Sequence, residues 1–152
     1  MVESTRNYAD CFGHQWNAFR RTQLDSHTGT TITTDRARRI LGPDCLRLLN
    51  GPGRVDVLEV GCGAGRFTEV LLGMPASHVT SVDFSSAVEA NQANVPQGPR
   101  HRVLQADVRQ LPFAPGQFDL VFCVGVVQHT PNSEQTMQCL LRQAKPGGWV
   151  VF

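Results

Sequence analysis

The stretch that most constrains this chain is Val57-Leu58-Glu59-Val60-Gly61-Cys62-Gly63-Ala64-Gly65-Arg66-Phe67. An apolar run ends in an acid, breaks into three alternating glycines and resumes with a helical pattern. Glycine permits backbone conformations and close approaches that a side chain forbids, so the stretch predicts a strand, a tight turn and a helix start. In open α/β sheets that arrangement brings a nucleotide-like ligand against bare backbone. A dinucleotide fingerprint, G-x-G-x-x-G, needs its third glycine where this chain has Arg66. Here the third glycine comes one residue early, at Gly65, which weighs against a nicotinamide-dependent dehydrogenase.

The pattern around this stretch is an alternation. Strands are expected at Val55–Val60, His78–Val82, Arg102–Gln105, Phe118–Val124 and Trp149–Phe152. Between them fall helical signals: Arg66–Leu72 with Gly73 as a stop, a Ser86-x-x-Glu89 capping box, and the stripe Met137, Leu140, Leu141, Ala144 capped near Asn132 or Ser133. Lys145-Pro146-Gly147-Gly148 is expected to break that last helix. Alternation of this kind predicts an α/β domain with a parallel sheet and right-handed crossovers.

Ahead of the core the signals are helical. Phe12, Trp16 and Phe19 recur at helical spacing, so roughly His14–Leu24 reads as an amphipathic helix. A loop over Ser26–Thr34 precedes a short helix, Arg36–Leu41, capped by Asp35 and stopped by Gly42-Pro43. A second short helix runs to Leu49. Gly51-Pro52-Gly53 marks a boundary, which gives a helical extension over 1–53 and a core over 54–152.

Length and charge narrow the field. With 152 residues the chain is expected to be one domain, and 41% hydrophobic with 18% charged residues excludes disorder and a membrane class. A net charge of +1, spread almost evenly, argues against a nucleic-acid partner. Met1–Asp10 is polar and holds no signal-peptide core. Five cysteines (Cys11, Cys45, Cys62, Cys123, Cys139) include no C-x-x-C pair, so neither a disulfide framework nor a metal site is expected. Reduced thiols point to a cytoplasmic protein.

The acid-x-Gly-x-Gly-x-Gly pattern resembles motif I of the class I S-adenosylmethionine-dependent methyltransferases, in particular the type 11 domain, and the likeness covers about residues 54–152. It implies a Rossmann-like, doubly wound parallel sheet of order 3-2-1-4-5 and the cofactor S-adenosyl-L-methionine, with S-adenosyl-L-homocysteine as product. Carried over by position, Glu59 orients the methionine end, and the loop with Gly61, Cys62, Gly63 and Gly65 passes beside it. Asp83, 24 residues after Glu59, accepts the ribose hydroxyls, and Phe84 packs on the adenine. Ala106, Asp107 and Val108 surround the adenine amino group, and Gly125 and Gln128 belong to the segment that runs past the sulfonium. His129 stands at the reaction end, where an imidazole can take a proton from an attacking hydroxyl or simply shape the pocket. Asp83 also reads as a helix cap, and Phe84 as plain core packing.

Residues 8–29, from Tyr8 through Trp16 to Gly29, resemble the leader of a small group within the type 11 domains. That leader implies a lid over the cofactor or a wall of the acceptor pocket, with aromatic packing as the alternative. After the fourth strand the chain reads Gly-Val-Val-Gln-His-Thr-Pro rather than Asn-Pro-Pro-Tyr, which weighs against base or amide methylation and favours a small-molecule acceptor. The same segment lacks the acids that an aminopropyltransferase needs. Phe152 falls inside the fifth expected strand, which suggests a truncated core or a homodimer through the exposed sheet edge. A cofactor-binding fragment without a complete acceptor site is the rival reading.

Overall fold

A computed structural model describes residues 11–152. Tyr8 and the polar segment Met1–Asp10 lie outside the described residues. At the centre is a five-stranded sheet of order β3-β2-β1-β4-β5, formed by β1 (Val55–Val60), β2 (Ser77–Asp83), β3 (His101–Gln105), β4 (Phe118–Phe122) and β5 (Ala144–Val151). Every pairing is parallel. The expected fold class and strand order are therefore observed.

The near-continuous apolar run at the fourth strand follows from burial on both faces. One face packs Val57, Leu120 and Phe122 against Leu41, Cys45 and Leu49 of α3 (Ile32–Leu49) and Phe67, Val70 and Leu71 of α4 (Arg66–Leu72). Phe67 meets Phe122 edge-on, with centroids 5.3 Å apart. The other face packs Leu58, Val82 and Val121 against Leu140 of α6 (Ser133–Gln143). Between α4 and α6 in the chain, α5 (Ala87–Asn94) packs on β2 and β3.

Several local expectations change. Residues 11–18 are helical (α1), but the helix ends before Phe19, which is 60% exposed. The expected loop contains the short α2 (Asp25–Thr28), and α3 begins at Ile32 rather than Arg36. Its first amides are satisfied from outside: Thr33 and Thr34 donate to the Asp25 carboxylate at 3.1 and 2.7 Å. Asp35 instead accepts from the Thr31 hydroxyl. The expected division at Gly42-Pro43 is present as a break in α3, where Gly42 takes φ 70° and ψ 173°. Ser86 makes no capping bond, and the Ser85 hydroxyl accepts from the Ala87 amide in its place. Asn132 caps α6 by accepting from the Gln135 amide, but Leu141 is exposed and the buried face carries Thr136 and Leu140. Lys145–Gly148 does not precede β5 but lies within it, as an irregular excursion against β4.

The register decides where chemistry can occur. Glu59 pairs across to Ser81 and to Phe122, and Asp83 pairs to Gln105. The carboxyl ends of four strands thus finish level with one another, beside the glycine loop.

Candidate functional site

A cavity of about 200 Å³ opens at these strand ends. Its lining includes Gly61, Cys62, Gly63, Asp83, Phe84, Ala106, Asp107, Val108, Gly125 and His129, ten of the thirteen positions expected from sequence. Glu59, Gly65 and Gln128 are absent from the lining. Glu59 is 2% exposed and lies beneath the loop. A Cβ on Gly65 would press on Val95 and Asn91 at 3.1–3.4 Å, so this glycine serves the packing of α5. Gln128 is an exposed residue of the 3₁₀ turn Val127–His129.

Asp83 is the hinge of the site. One carboxylate oxygen accepts from the Gly63 amide at 2.9 Å, and the other accepts from the Ser85 amide at 2.9 Å and the Ser85 hydroxyl at 2.7 Å. The side chain therefore fixes the glycine loop to the start of the segment before α5, and the helix-start role coexists with cavity exposure. Gly63 adopts φ +51°, and a Cβ there would sit 3.4 Å from the Trp16 indole. Trp16 of α1 thus covers the loop from above. Phe12, also on α1, lies with its ring centroid 5.7 Å from that of His129, tilted by 50°. Asn17 ties the same helix to the core by donating to the Ser86 carbonyl.

Asp107 has a partner that the sequence reading missed. Arg109 donates to it from its amide at 2.8 Å and from its guanidinium at 2.6–3.2 Å. Burial pushes the Asp107 carboxyl up, but these bonds outweigh it and hold the group below the usual carboxylate value. The Asp-x-Arg spacing was the signal for this pair. Arg66 also lines the cavity, and its guanidinium is engaged by Gln23 and lies over the Phe67 ring.

The family described as "Methyltransferase domain" matches residues 58–152. This chain belongs to that family. The cofactor of this methyltransferase family is S-adenosylmethionine. Among individual proteins, the chain is 31% identical over 100 residues to a ubiquinone biosynthesis O-methyltransferase of Thiobacillus denitrificans. The match takes in 63% of this chain and 42% of that relative, so the chain spans about two-fifths of the length of such curated relatives. A Methanococcus maripaludis protein described as a candidate S-adenosyl-L-methionine-dependent methyltransferase superposes with TM-score 0.69 at 20% identity, over 90% of this chain and 59% of its own. The trans-methyltransferase CalH, solved as a complex with SAH, superposes with TM-score 0.59 at 20% identity, over 69% of this chain and 33% of its own.

The residues of this methyltransferase domain suit a cationic, phosphate-free cofactor. The cavity presents Asp83 and Asp107 at separate points, between apolar walls from Trp16, Phe84 and Val126. Its two arginines are already engaged, Arg109 by Asp107 and Arg66 by Gln23, so no open guanidinium fork awaits a phosphate. The fit also rests on the loop: a Cβ at Gly61 would strike Val126 at 2.0 Å and displace the wall opposite.

Beneath the loop, Glu59 accepts from Thr68 at 2.6 Å and from Ser81 at 2.7 Å. Burial raises its carboxyl to about 7, against the lowering effect of those two hydroxyls. The Cys62 thiol is pushed well up by burial, with the Glu59 and Asp83 charges adding to it. That thiol is a packing group rather than a nucleophile. Among the described residues no group of three or more His, Cys, Asp or Glu is placed to hold a metal ion, and no helix is long and apolar enough to cross a membrane.

Proposed function

We propose that the cavity binds S-adenosyl-L-methionine and that the protein transfers its methyl group to a small-molecule nucleophile. The observation that carries this reading is Asp83, a half-buried carboxylate that anchors the Gly63 amide while facing the cavity. When bound, the cofactor supplies an electrophilic methyl group on a sulfonium centre. Asp83 would take the ribose hydroxyls, Phe84 and Val108 the adenine ring, and Asp107, held by Arg109, the adenine amino group. The backbone of Gly61 to Gly65 and of Gly125 would run beside the methionine part, with Gln128 at its rim and Glu59 acting from beneath. His129 is the proposed general base for an attacking hydroxyl. Positioning two reactants under Trp16 and Phe12, away from water, would supply much of the rate.

The name of the Thiobacillus denitrificans relative supports oxygen as the acceptor atom. Within the extension 1–53, α1 is proposed as a lid and wall on the core of 54–152, a role supported by the Trp16 and Phe12 contacts, whereas α3 packs into the core itself. No nucleic acid is proposed as a partner, given the small net charge. All five cysteines are free thiols, which supports a cytoplasmic setting.

Calorimetric titration tests the core of this reading. Binding of S-adenosyl-L-methionine and S-adenosyl-L-homocysteine with none for NAD is the expected result, and a folded protein that binds neither would overturn it. Once a hydroxyl acceptor is found by product analysis, His129→Ala is expected to lower turnover about 10²-fold or more while cofactor affinity stays constant. Unchanged turnover would remove the base assignment and leave the cofactor site standing.

A further inference from the structure

Five buried polar side chains from five elements form one chain of hydrogen bonds beneath the glycine loop. Asn91 of α5 donates to the Thr68 hydroxyl of α4 at 2.9 Å, and Thr68 donates to Glu59 Oε2 of β1 at 2.6 Å. Ser81 of β2 reaches the same carboxyl oxygen at 2.7 Å. The Ser81 oxygen also lies 3.3 Å from Nε2 of His101 on β3, whose Nδ1 faces the Pro96 carbonyl at 3.4 Å. Thr68, Ser81 and Asn91 are fully buried, Glu59 is 2% exposed and His101 5%.

Counting hydrogens exposes a conflict. A carbonyl only accepts, so His101 Nδ1 must carry a hydrogen, and in a neutral ring Nε2 is then a bare acceptor. Ser81 has one hydrogen and faces two acceptors, Nε2 and the Glu59 carboxylate. Two arrangements satisfy both ring nitrogens of His101, the Ser81 hydroxyl and Glu59 Oε2 together. In one, Glu59 is ionised, Ser81 donates to it, and a doubly protonated His101 donates to Ser81. In the other, a protonated Glu59 donates to Ser81, and Ser81 donates to a neutral His101. They hold the same number of protons and differ in where one sits: going from the second to the first, the Glu59 O–H bond breaks as a new Ser81 O–H forms, and the old Ser81 O–H breaks as Nε2–H forms.

We propose that Ser81 relays a shared proton between Glu59 and His101, which makes His101 a positioning residue for the carboxyl group under the glycine loop. Burial raises Glu59 and lowers His101, and both directions favour the neutral arrangement in the resting protein. The charged and titratable groups that face Glu59 are Asp83 at the end of β2, Arg66 of α4 and Cys62 of the loop. His101 also borders a second cleft with Arg54, Asp56, His78, Arg100 and Arg102. A sulfonium over the loop would favour ionised Glu59 and send the proton to Nε2. This last step rests on the cofactor reading above, whereas the relay itself does not.

The test is nitrogen NMR of the His101 ring in the intact chain, followed through the pH range in which histidine titrates. The neutral ring is expected to carry its hydrogen on Nδ1. In Ser81→Ala and in Glu59→Gln the titration midpoint is expected to move by about one unit or more, the mark of strongly coupled groups. A neutral ring with its hydrogen on Nε2, or a midpoint unmoved in both variants, overturns the relay. If Ser81→Ala does not fold, the wild-type ring and Glu59→Gln still decide. Adding S-adenosyl-L-methionine is expected to protonate Nε2, and S-adenosyl-L-homocysteine, which lacks the sulfonium, is not. Binding without change at Nε2 overturns the coupling to the cofactor. Failure to bind at all counts against the cofactor reading and leaves the ring result intact.

Discussion

The two ends of this sheet hold their carboxylates in opposite ways. Where the strands begin, Lys145 bonds both oxygens of Asp119 at 2.8 and 2.9 Å, Arg54 pairs with Asp56 at 2.8 Å, and the Asp56 amide donates to Asp119. Where the strands finish, Asp83 is held by two amides and a hydroxyl and Glu59 by two hydroxyls. Among the described residues neither of these forms an ion pair, and only Asp107 at that end has one. Charges balanced by charges at the first end are already satisfied. Carboxyl groups held by dipoles at the second have no countercharge, and the Asp83 carboxylate keeps its attraction for a positive ligand. The same sheet thus carries a structural end and, at the opposite pole, the proposed binding end, separated by the length of a strand.

The largest test of this contrast is the pH dependence of stability. Burial lifts Glu59 from 4.5 to about 7, so its folded value lies above its unfolded one. Its stabilising contribution is then complete below about 4.5 and is lost as pH rises through about 7, a loss of about 3 kcal/mol. Thermal unfolding of the wild type is expected to weaken over that window relative to Glu59→Gln, which cannot ionise. A constant gap between the two curves would mean that Glu59 is not held in a dry site. Next in size, Asp83→Ala is expected to weaken S-adenosyl-L-methionine binding by about 1–3 kcal/mol, the cost of stranding its partners. Calorimetry that finds unchanged affinity would erase the distinction between the two ends. The smallest effect belongs to Lys145→Met. Lys145 and Asp119 remain 38% and 28% exposed, so solvent screening limits the loss to under about 1 kcal/mol of stability, with cofactor affinity unaffected.

The strands and the glycine loop were readable because each rests on a local pattern. Val57–Val60 and Phe118–Phe122 are largely apolar runs, each with one acid, as a strand buried on two faces requires, and three alternating glycines leave little choice of turn. What escaped notice depends on partners distant in the chain. The start of α3 was misplaced because its capping carboxylate is Asp25, eight and nine residues before the amides it serves. The Glu59 network was invisible because Thr68, Ser81, Asn91 and His101 meet only after five elements assemble. Phe12 and Trp16 were seen as a helical stripe, but the glycine loop beneath Trp16 could not be foreseen from spacing alone. Leu141 looked like core by the same periodicity, and its 57% exposure shows that a stripe does not specify which of its members faces the sheet.

The excursion in β5 bears on how such a domain can change over time. From Phe118 to Leu120, β4 advances two residues, while β5 advances from Ala144 to Trp149. Alignment then resumes, with Leu120, Val121 and Phe122 opposite Trp149, Val150 and Val151. A one-residue slip in an ordinary strand would turn every later side chain to the wrong face. Here the surplus backbone is gathered between Lys145 and Gly148 before pairing restarts. Insertions or deletions in that stretch can be absorbed locally, so the strand ends beside the cavity are insulated from changes in length at the opposite pole.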